Sequence, residues 1–454
     1  MILIDKSALV PVALEDEPDR HGVCPMTLAI KGTFSIARDG SVTPLPAEEQ
    51  PQPTGDLGHD DNEGGSLWYA TDVVDWKPRV DVLVNAACHA PRGEPVTQCD
   101  ARIDMPGRSK TLQITGDRWW VEDDEGFWRM TDPEPFLTLP LRWERSFGGL
   151  MNPRNPYGRG QSPDPAADPE APYYSLPNVE DPANPVRWPE DDPEPAGLGP
   201  IAETWEQRER KAGTRDTRWS VFHAPRPPAD FDPGFNNAAP DDQQLEALEG
   251  WEAFAFHNMR PDRPLFRVAL PDIRPRVFYV AAGDTEQTLH EIPVALDTVH
   301  FDLVGDHLTL LWRGRCDVKI PPQGDSATEA LDFLYVVSET ASRPAPDATT
   351  YQKPFADDAE IYQKTLAINR QTPEEVEQQE LGPAVEQIVK ALTDVGAPAA
   401  MIAQVQAADT AAGLQETLQA YQEEQVAQAK AFQEDLMTKF GLTEDDIKNA
   451  SSSF

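Results

Sequence analysis

Thr115-Gly116-Asp117-Arg118-Trp119-Trp120 opens a stretch that continues through Leu139-Pro140-Leu141-Arg142-Trp143-Glu144-Arg145-Ser146-Phe147-Gly148-Gly149 and closes on Asn152-Pro153-Arg154-Asn155-Pro156-Tyr157-Gly158-Arg159-Gly160. Tryptophan, arginine and carboxylate are concentrated here, and glycine and Asn-Pro pairs force turns between them. Trp119, Trp120, Trp128 and Trp143 each offer a large apolar face. Arg118, Arg142 and Arg145 can fork onto Asp117 and Glu144, or onto loop carbonyls. The stretch reads as a rigid junction at which a β-rich body clamps a long loop through guanidinium and indole groups. It does not read as a nucleophile site.

On the N-terminal side the pattern is β. Leu28, Ile30, Phe34 and Ile36 alternate with Thr27, Lys31, Thr33 and Ser35, which predicts a half-buried strand, and Asp39-Gly40 then supplies a hairpin turn. Residues 44–65 are polar and rich in Pro, Gly and Asp, hence loop. Val80, Val82 and Val84 restart a strand, and Ala101–Thr115 continues the pattern up to the junction.

On the C-terminal side residues 151–240 hold 18 of the chain's 45 prolines, a density that excludes helix interiors and central strands. Aromatic residues are nonetheless spread along it: Tyr173, Tyr174, Trp188, Trp205, Trp219, Phe222, Phe231 and Phe235. The expectation is an ordered, irregular ribbon pinned by aromatic anchors, with a short helix near Glu203–Lys211. Strand pattern returns at Phe266, Val268 and Leu270, at Phe278 and Val280, and over Leu331–Val337. A two-residue turn at Gly305-Asp306 would pair Leu303 with Leu308, Phe301 with Leu310 and Val299 with Trp312. From about Phe355 the composition shifts to Ala, Gln and Glu. Thr372-Pro373-Glu374-Glu375 is a capping box, and Val385, Ile388, Val389 and Leu392 follow at helical spacing. A helix over Pro398–Phe440 would carry a thin stripe of Leu414, Leu418, Tyr421, Ala429, Phe432 and Leu436.

The reading is mainly β with α (α+β). A β-sandwich-like body is built from two strand-rich parts, 1–150 and 251–345. The proline- and aromatic-rich segment 151–250 packs on it, and an acidic helical region follows at 355–454.

Formal net charge is −39, from 78 Asp and Glu against 39 Lys and Arg, so nucleic acid and anionic membrane are not expected partners. No apolar run approaches the roughly 18 residues of a membrane helix, and the N-terminus lacks a signal-peptide pattern. Cys24, Cys88, Cys99 and Cys316 have no metal spacing and read as reduced thiols of a cytoplasm. The eight histidines never sit at ligand spacing, and His300 and His307, flanking the proposed hairpin, are expected to face solvent. Asp56, Asp60, Asp61 and Glu63 share a Gly-rich loop without EF-hand spacing. No phosphate-binding loop, nucleophile elbow or metalloprotease helix is present. Asp117 and Glu144 beside tryptophans also suggest a glycosidase pair, but each has an arginine neighbour, which favours the ionised form over a proton-donating role. No catalytic residue, cofactor or metal is expected.

The sequence resembles the bacterial family known as domain of unknown function 2169, over roughly residues 20–315. The resemblance is carried by Tyr69-Ala70-Thr71-Asp72-Val73-Val74, Lys77-Pro78, Asp81-Val82-Leu83-Val84, Ala90-Pro91-Arg92-Gly93, Gly116-Asp117-Arg118-Trp119, Pro135-Phe136 and Pro140-Leu141. It continues through Trp143-Glu144-Arg145, Phe147-Gly148-Gly149, Asn155-Pro156, Gly158-Arg159-Gly160 and Leu176-Pro177-Asn178. Gly199-Pro200-Ile201 with Trp205, Arg208, Ala212-Gly213-Thr214, Asp230-Phe231, Phe235-Asn236 and Ala239-Pro240-Asp241-Asp242-Gln243 complete it. The helical region is not covered.

The resemblance implies a cytoplasmic adaptor or chaperone of type VI secretion, which loads an effector protein or its PAAR-type tip protein onto the valine-glycine repeat spike protein. It brings no catalytic residues. Asp117, Arg118, Trp119, Arg142, Glu144, Arg145, Asn155 and Arg159 are the expected platform-positioning or partner-binding residues, with positioning favoured over direct contact. The rival classes are a carbohydrate-active β-sandwich, enzyme or lectin, and a structural component of the secretion apparatus.

Overall fold

The computed structural model describes residues 1–15, 22–59, 65–161, 173–222, 224, 226–320, 327–369, 385–393, 397–408 and 411–440. Its longest strand, Val23–Ile36, pairs antiparallel along its length with His307–Lys319. Val10–Glu15 and Val42–Pro44 flank that pair on one side. Val294–Asp302, Val80–Asn85 and Gln244–Leu245 follow on the other, making seven strands. Val80–Asn85 runs parallel to Val294–Asp302, so both strand-rich parts are woven into one sheet.

One face of this sheet, with Leu28, Ile30, Phe34, Val82, Val84, Val299, Phe301, Leu308, Leu310 and Trp312, enters a single large core. A five-stranded sheet meets it there, in the order Val179–Glu180, Arg108–Thr115, Gln98–Met105, Ala253–Arg260, Arg263–Ala269. Phe254 and Phe256 close on Phe301 with ring centroids 5.0 and 4.9 Å apart. Burying each such ring contributes about 1.5–3 kcal/mol. A four-stranded sheet, Ile2–Asp5, Leu331–Thr340, Ile273–Ala281 and His290–Ile292, adds Val277, Ile292, Leu334 and Val336 to the same core. On its opposite face Phe278, Phe333 and Tyr335 pack with Tyr351 and Phe355.

Two local readings change. Val23–Ile36 is buried on both faces, Thr27, Lys31 and Thr33 included, because a loop lid covers them and accepts from the Thr27 hydroxyl, the Lys31 ammonium and the Thr33 backbone N–H. The 299–312 hairpin forms with a four-residue loop, Leu303–Asp306, and pairs Phe301 with Leu308 and Val299 with Leu310. The register is two residues off the expected one, so the same side chains stay on the core face. Asp302 Oδ1 accepts from Val304 and Gly305 N–H, and Asp306 takes φ +58°, which together make the wider turn. Asp39-Gly40 does turn the chain as read, and Gly40 (φ +89°) sits where a Cβ would meet Arg267 O at 1.9 Å.

The ribbon is held where described, with a short helix at Glu206–Glu209. Trp205 and Phe235 are buried anchors, whereas Trp188 and Phe222 are exposed and anchor nothing.

The chain divides into two compact units, Met1–Asp357 and Asp358–Phe454. In the second, residues 385–393, Ala399–Gln406 and Ala411–Phe440 are helical. The single helix expected over Pro398–Phe440 is therefore interrupted. Ala407 leaves helical geometry at φ −90°, ψ 0°, and Met401 and Val405 fold back on Leu414 with Val385, Ile388, Leu392 and Leu418. A stripe too thin to bury alone is buried by doubling back. The Thr372–Glu375 capping box and the side chains of Ala429, Phe432 and Leu436 lie outside the described residues. No described helix is long and apolar enough to cross a membrane.

Candidate functional site

At the junction, the Trp119–Glu122 strand pairs with Trp128–Met130 on one side and with Tyr173–Ser175 of the ribbon on the other. Just beyond, buried Asn178 gathers the chain. Its amide donates to Thr115 O (3.0 Å) and Asp117 Oδ1 (2.9 Å), and its Oδ1 accepts from Arg145 Nη1 (3.0 Å). Arg145 and Arg159 approach Asp117 at 3.4 and 3.8 Å. Arg159 Nε also donates to the Glu144 backbone carbonyl (3.0 Å). Asn155, wholly buried, donates to Trp143 O (2.8 Å) and Phe147 O (3.0 Å). Arg118 makes a buried ion pair with Glu180; burial raises the Glu180 carboxyl above its usual range against the opposing Arg118 charge.

Asp117, Arg145, Asn155 and Arg159 thus converge on one bracket, with Asn178 as its centre. Trp119 takes part through its backbone N–H, which bonds Thr131 Oγ1 (3.0 Å). Two details differ from the sequence reading. The Glu144 carboxylate is held by Ser66, from its N–H at 2.7 Å and its hydroxyl at 3.0 Å, and ties the junction to the loop before Leu67–Tyr69. The clamp is also built from ion pairs and amides more than from guanidinium on indole. Trp143 instead stacks edge-on against Trp205 (5.3 Å) and donates its indole N–H to Pro200 O (3.0 Å). Arg142 is half-buried at the start of the Trp143–Arg145 turn.

Beside the Trp119–Glu122 strand is an open cleft of ≈560 Å³ between Arg118, Trp120, Trp128, Met130, Val186 and Trp188. Trp120, Phe147, Leu176 and Val186 form a small core beneath it. Trp188 is 67 % exposed and Phe127 64 %, with Trp128 at 38 % resting edge-on against Tyr174. The backbone under Trp188 is nevertheless fixed, since Asp191 accepts from Arg187 and Trp188 N–H and Glu180 accepts from Val186 N–H. Exposed aromatic surface on a pinned backbone costs little entropy to dock.

A second arrangement lies on the outer face of the seven-stranded sheet. Lys31 Nζ pairs with Asp72 (2.8 Å) over the Tyr69 ring, and the Tyr69 hydroxyl donates to Asp72 Oδ1 (2.7 Å). Arg313 Nη1 donates to both Asp297 carboxylate oxygens (2.6 and 2.5 Å), and its Nη2 donates to the Asp72 carbonyl (2.7 Å). Lys77 joins Thr298 to Asp81, which also accepts from Asn237 and from Ala238 and Ala239 N–H. Burial first, then the Asp72 charge, raises the Tyr69 phenol well above its usual value. His300, expected at the surface, is 3 % exposed, its Nε2 accepting from Asn85 Nδ2 (2.9 Å). Burial, with Lys31 and His59 nearby, lowers its pKa to about 3. Beside it is a cavity of ≈380 Å³ lined chiefly by Leu45, Pro51, Leu57, Trp68 and Tyr69.

Tyr69, Asp72, Lys77 and Asp81 carry the family resemblance but lie outside the expected site residues. Their sign in the sequence is Asp81, a charge set inside the apolar run Val80-Asp81-Val82-Leu83-Val84. Among the described residues no group of three or more His, Cys, Asp or Glu side chains could hold a metal ion. Of the acidic loop, Asp56 accepts from Thr71 N–H (2.7 Å), and Asp60, Asp61 and Glu63 lie outside the described residues.

No curated protein and no solved structure matches the chain. Residues 21–313, well over half of it, match the profile of a family described as an uncharacterized protein conserved in bacteria, domain of unknown function 2169. They take in both the junction bracket and the polar layer, and the chain belongs to that family.

Proposed function

We propose that the chain is a cytoplasmic adaptor, or chaperone, of type VI secretion. It binds an effector, or the PAAR-type tip attached to it, and helps load that cargo on the valine-glycine repeat spike. The observation that carries this reading is the cleft flanked by Trp128 and Trp188, an exposed aromatic surface whose backbone is fixed by Glu180 and Asp191. Buried, well-supported aromatics dominate protein interfaces, and a net charge of −39 accelerates encounter with a basic cargo. The junction carboxylates support the same reading, because Asp117 and Glu144 are both engaged as tethers. The test is affinity capture with the full chain from the cytosol of a bacterium that encodes it, followed by mass spectrometry. Effector, tip and spike proteins are the expected captures. Recovery of carbohydrate-processing or metabolic enzymes alone would contradict the proposal.

A further inference from the structure

Cys88 and Cys99 come from different strands, Ala87–His89 and Gln98–Met105, yet their sulfurs lie 3.1 Å apart. Both are free thiols. The two differ in access, for Cys88 is buried in the main core, packed where its strand pairs with Leu139, and Cys99 is half-buried opposite Ile114. Between them the chain makes the Pro91–Gly93 turn, with Arg92 at φ +62° and Gly93 at φ +69°. Val96 then pairs with Phe136, so both ends of the loop are held and the sulfurs are kept together by the sheets.

We propose that Cys88 and Cys99 are an oxidisable dithiol, closed to a disulfide by hydroperoxides and reopened by thiol reductants. The asymmetry assigns the roles. The hydrogen bond between the two sulfurs holds the Cys99 thiol below its usual range, while that bond and burial push Cys88 up. Cys99 is thus both the readier thiolate and the more exposed sulfur. Its sulfur attacks the peroxide O–O bond, which breaks and releases an alcohol or water, leaving Cys99 as a sulfenic acid. The Cys88 sulfur then attacks Cys99, the S–O bond breaks, and water leaves with the Cys88 proton. Two thiols are oxidised by two electrons and one peroxide is reduced. The disulfide fastens the Pro91–Gly93 loop across the sheets.

The experiment is peroxide treatment of the full chain, read by intact mass, thiol titration after denaturation, and peptide mapping. The expected product is a monomer about 2 Da lighter, with titratable thiols falling from four to two and one cross-linked peptide joining Cys88 to Cys99. Melting temperature rises by roughly 3–6 °C in the oxidised form and returns with dithiothreitol. In Cys88→Ser, Cys99 is trapped as a sulfenic acid by dimedone, and in wild type it is not. Oxidation that falls first on Cys24 or Cys316, or gives only intermolecular dimers, overturns the proposal. So does a Cys88–Cys99 pair that stays reduced while free glutathione in the same tube is fully oxidised. Mapping of the wild-type chain decides the matter even if a variant fails to fold.

Discussion

Lys31 and Asp72 form a 2.8 Å ion pair from which solvent is almost wholly excluded, between the longest strand and the loop that lids it. Asp72 is saturated on every side, by Lys31, the Tyr69 hydroxyl and Thr54 N–H. A buried pair of this kind is weak evidence of net stabilisation but is costly to break from one side. Asp72→Asn should therefore destabilise the first unit by about 3–5 kcal/mol, measured by urea denaturation. Lys31→Met in the same background should recover part of that loss. A cost below about 1 kcal/mol for the single change would mean that the pair does not organise the lid.

His300 gives the polar layer a pH signature. Its folded pKa is depressed to about 3, so the unfolded chain binds the proton more readily. The stability this contributes is present above the unfolded pKa of about 6.5 and is lost as pH falls toward the folded value. Between pH 6 and 5, before most carboxylates titrate, His300 should account for about 1.4 kcal/mol per pH unit. His300→Gln, which cannot charge, should flatten the dependence by that amount in paired denaturation curves. Identical slopes would show that His300 is protonated in the folded chain.

Gly148 tests the bracket. It has φ +152°, and a Cβ there would meet the Asn155 carbonyl oxygen at 2.2 Å, a backbone atom that Asn155's own bonds hold in place. Gly148→Ala should cost about 3 kcal/mol or more. The control is Gly107, at φ +76° with open space around it, where alanine should cost only about 1–2 kcal/mol. Equal costs at the two positions would mean that the junction yields.

Trp188 separates surface from scaffold. Because it is exposed while its backbone N–H is bound to Asp191, Trp188→Ala should change stability by no more than about 0.5 kcal/mol. A larger thermal or chemical destabilisation would place the indole in the scaffold.

Much of this was legible in the sequence. The strand face of Leu28, Ile30 and Phe34, the Asp39-Gly40 turn and the buried Trp205 follow from period and residue type. The second face of the same strand was not legible, because Thr27, Lys31 and Thr33 look like solvent-facing residues until the partners that bury them, Gln50 and Asp72, are in view. The hairpin register turned on Asp302 capping two loop amides, a local choice that alternation cannot encode. At the junction, residue types marked the right segment, yet the partners were long-range. Glu144 reaches Ser66 and Arg118 reaches Glu180, where neighbours in sequence had been expected. Asn178, the centre of the bracket, stands in the Leu176-Pro177-Asn178 block of the resemblance, but an uncharged amide gives no sign in the sequence of the three distant partners it joins.

The proposal of an adaptor rests on the aromatic cleft, and one titration bears on it most directly. The effector, tip or spike protein recovered by capture is purified and titrated calorimetrically into the wild-type chain and into Trp128→Ala/Trp188→Ala. The account predicts saturable binding to wild type and at least a ten-fold weaker dissociation constant for the variant, a loss of about 1.4 kcal/mol or more. Equal affinity for both chains, with both folded, would contradict it.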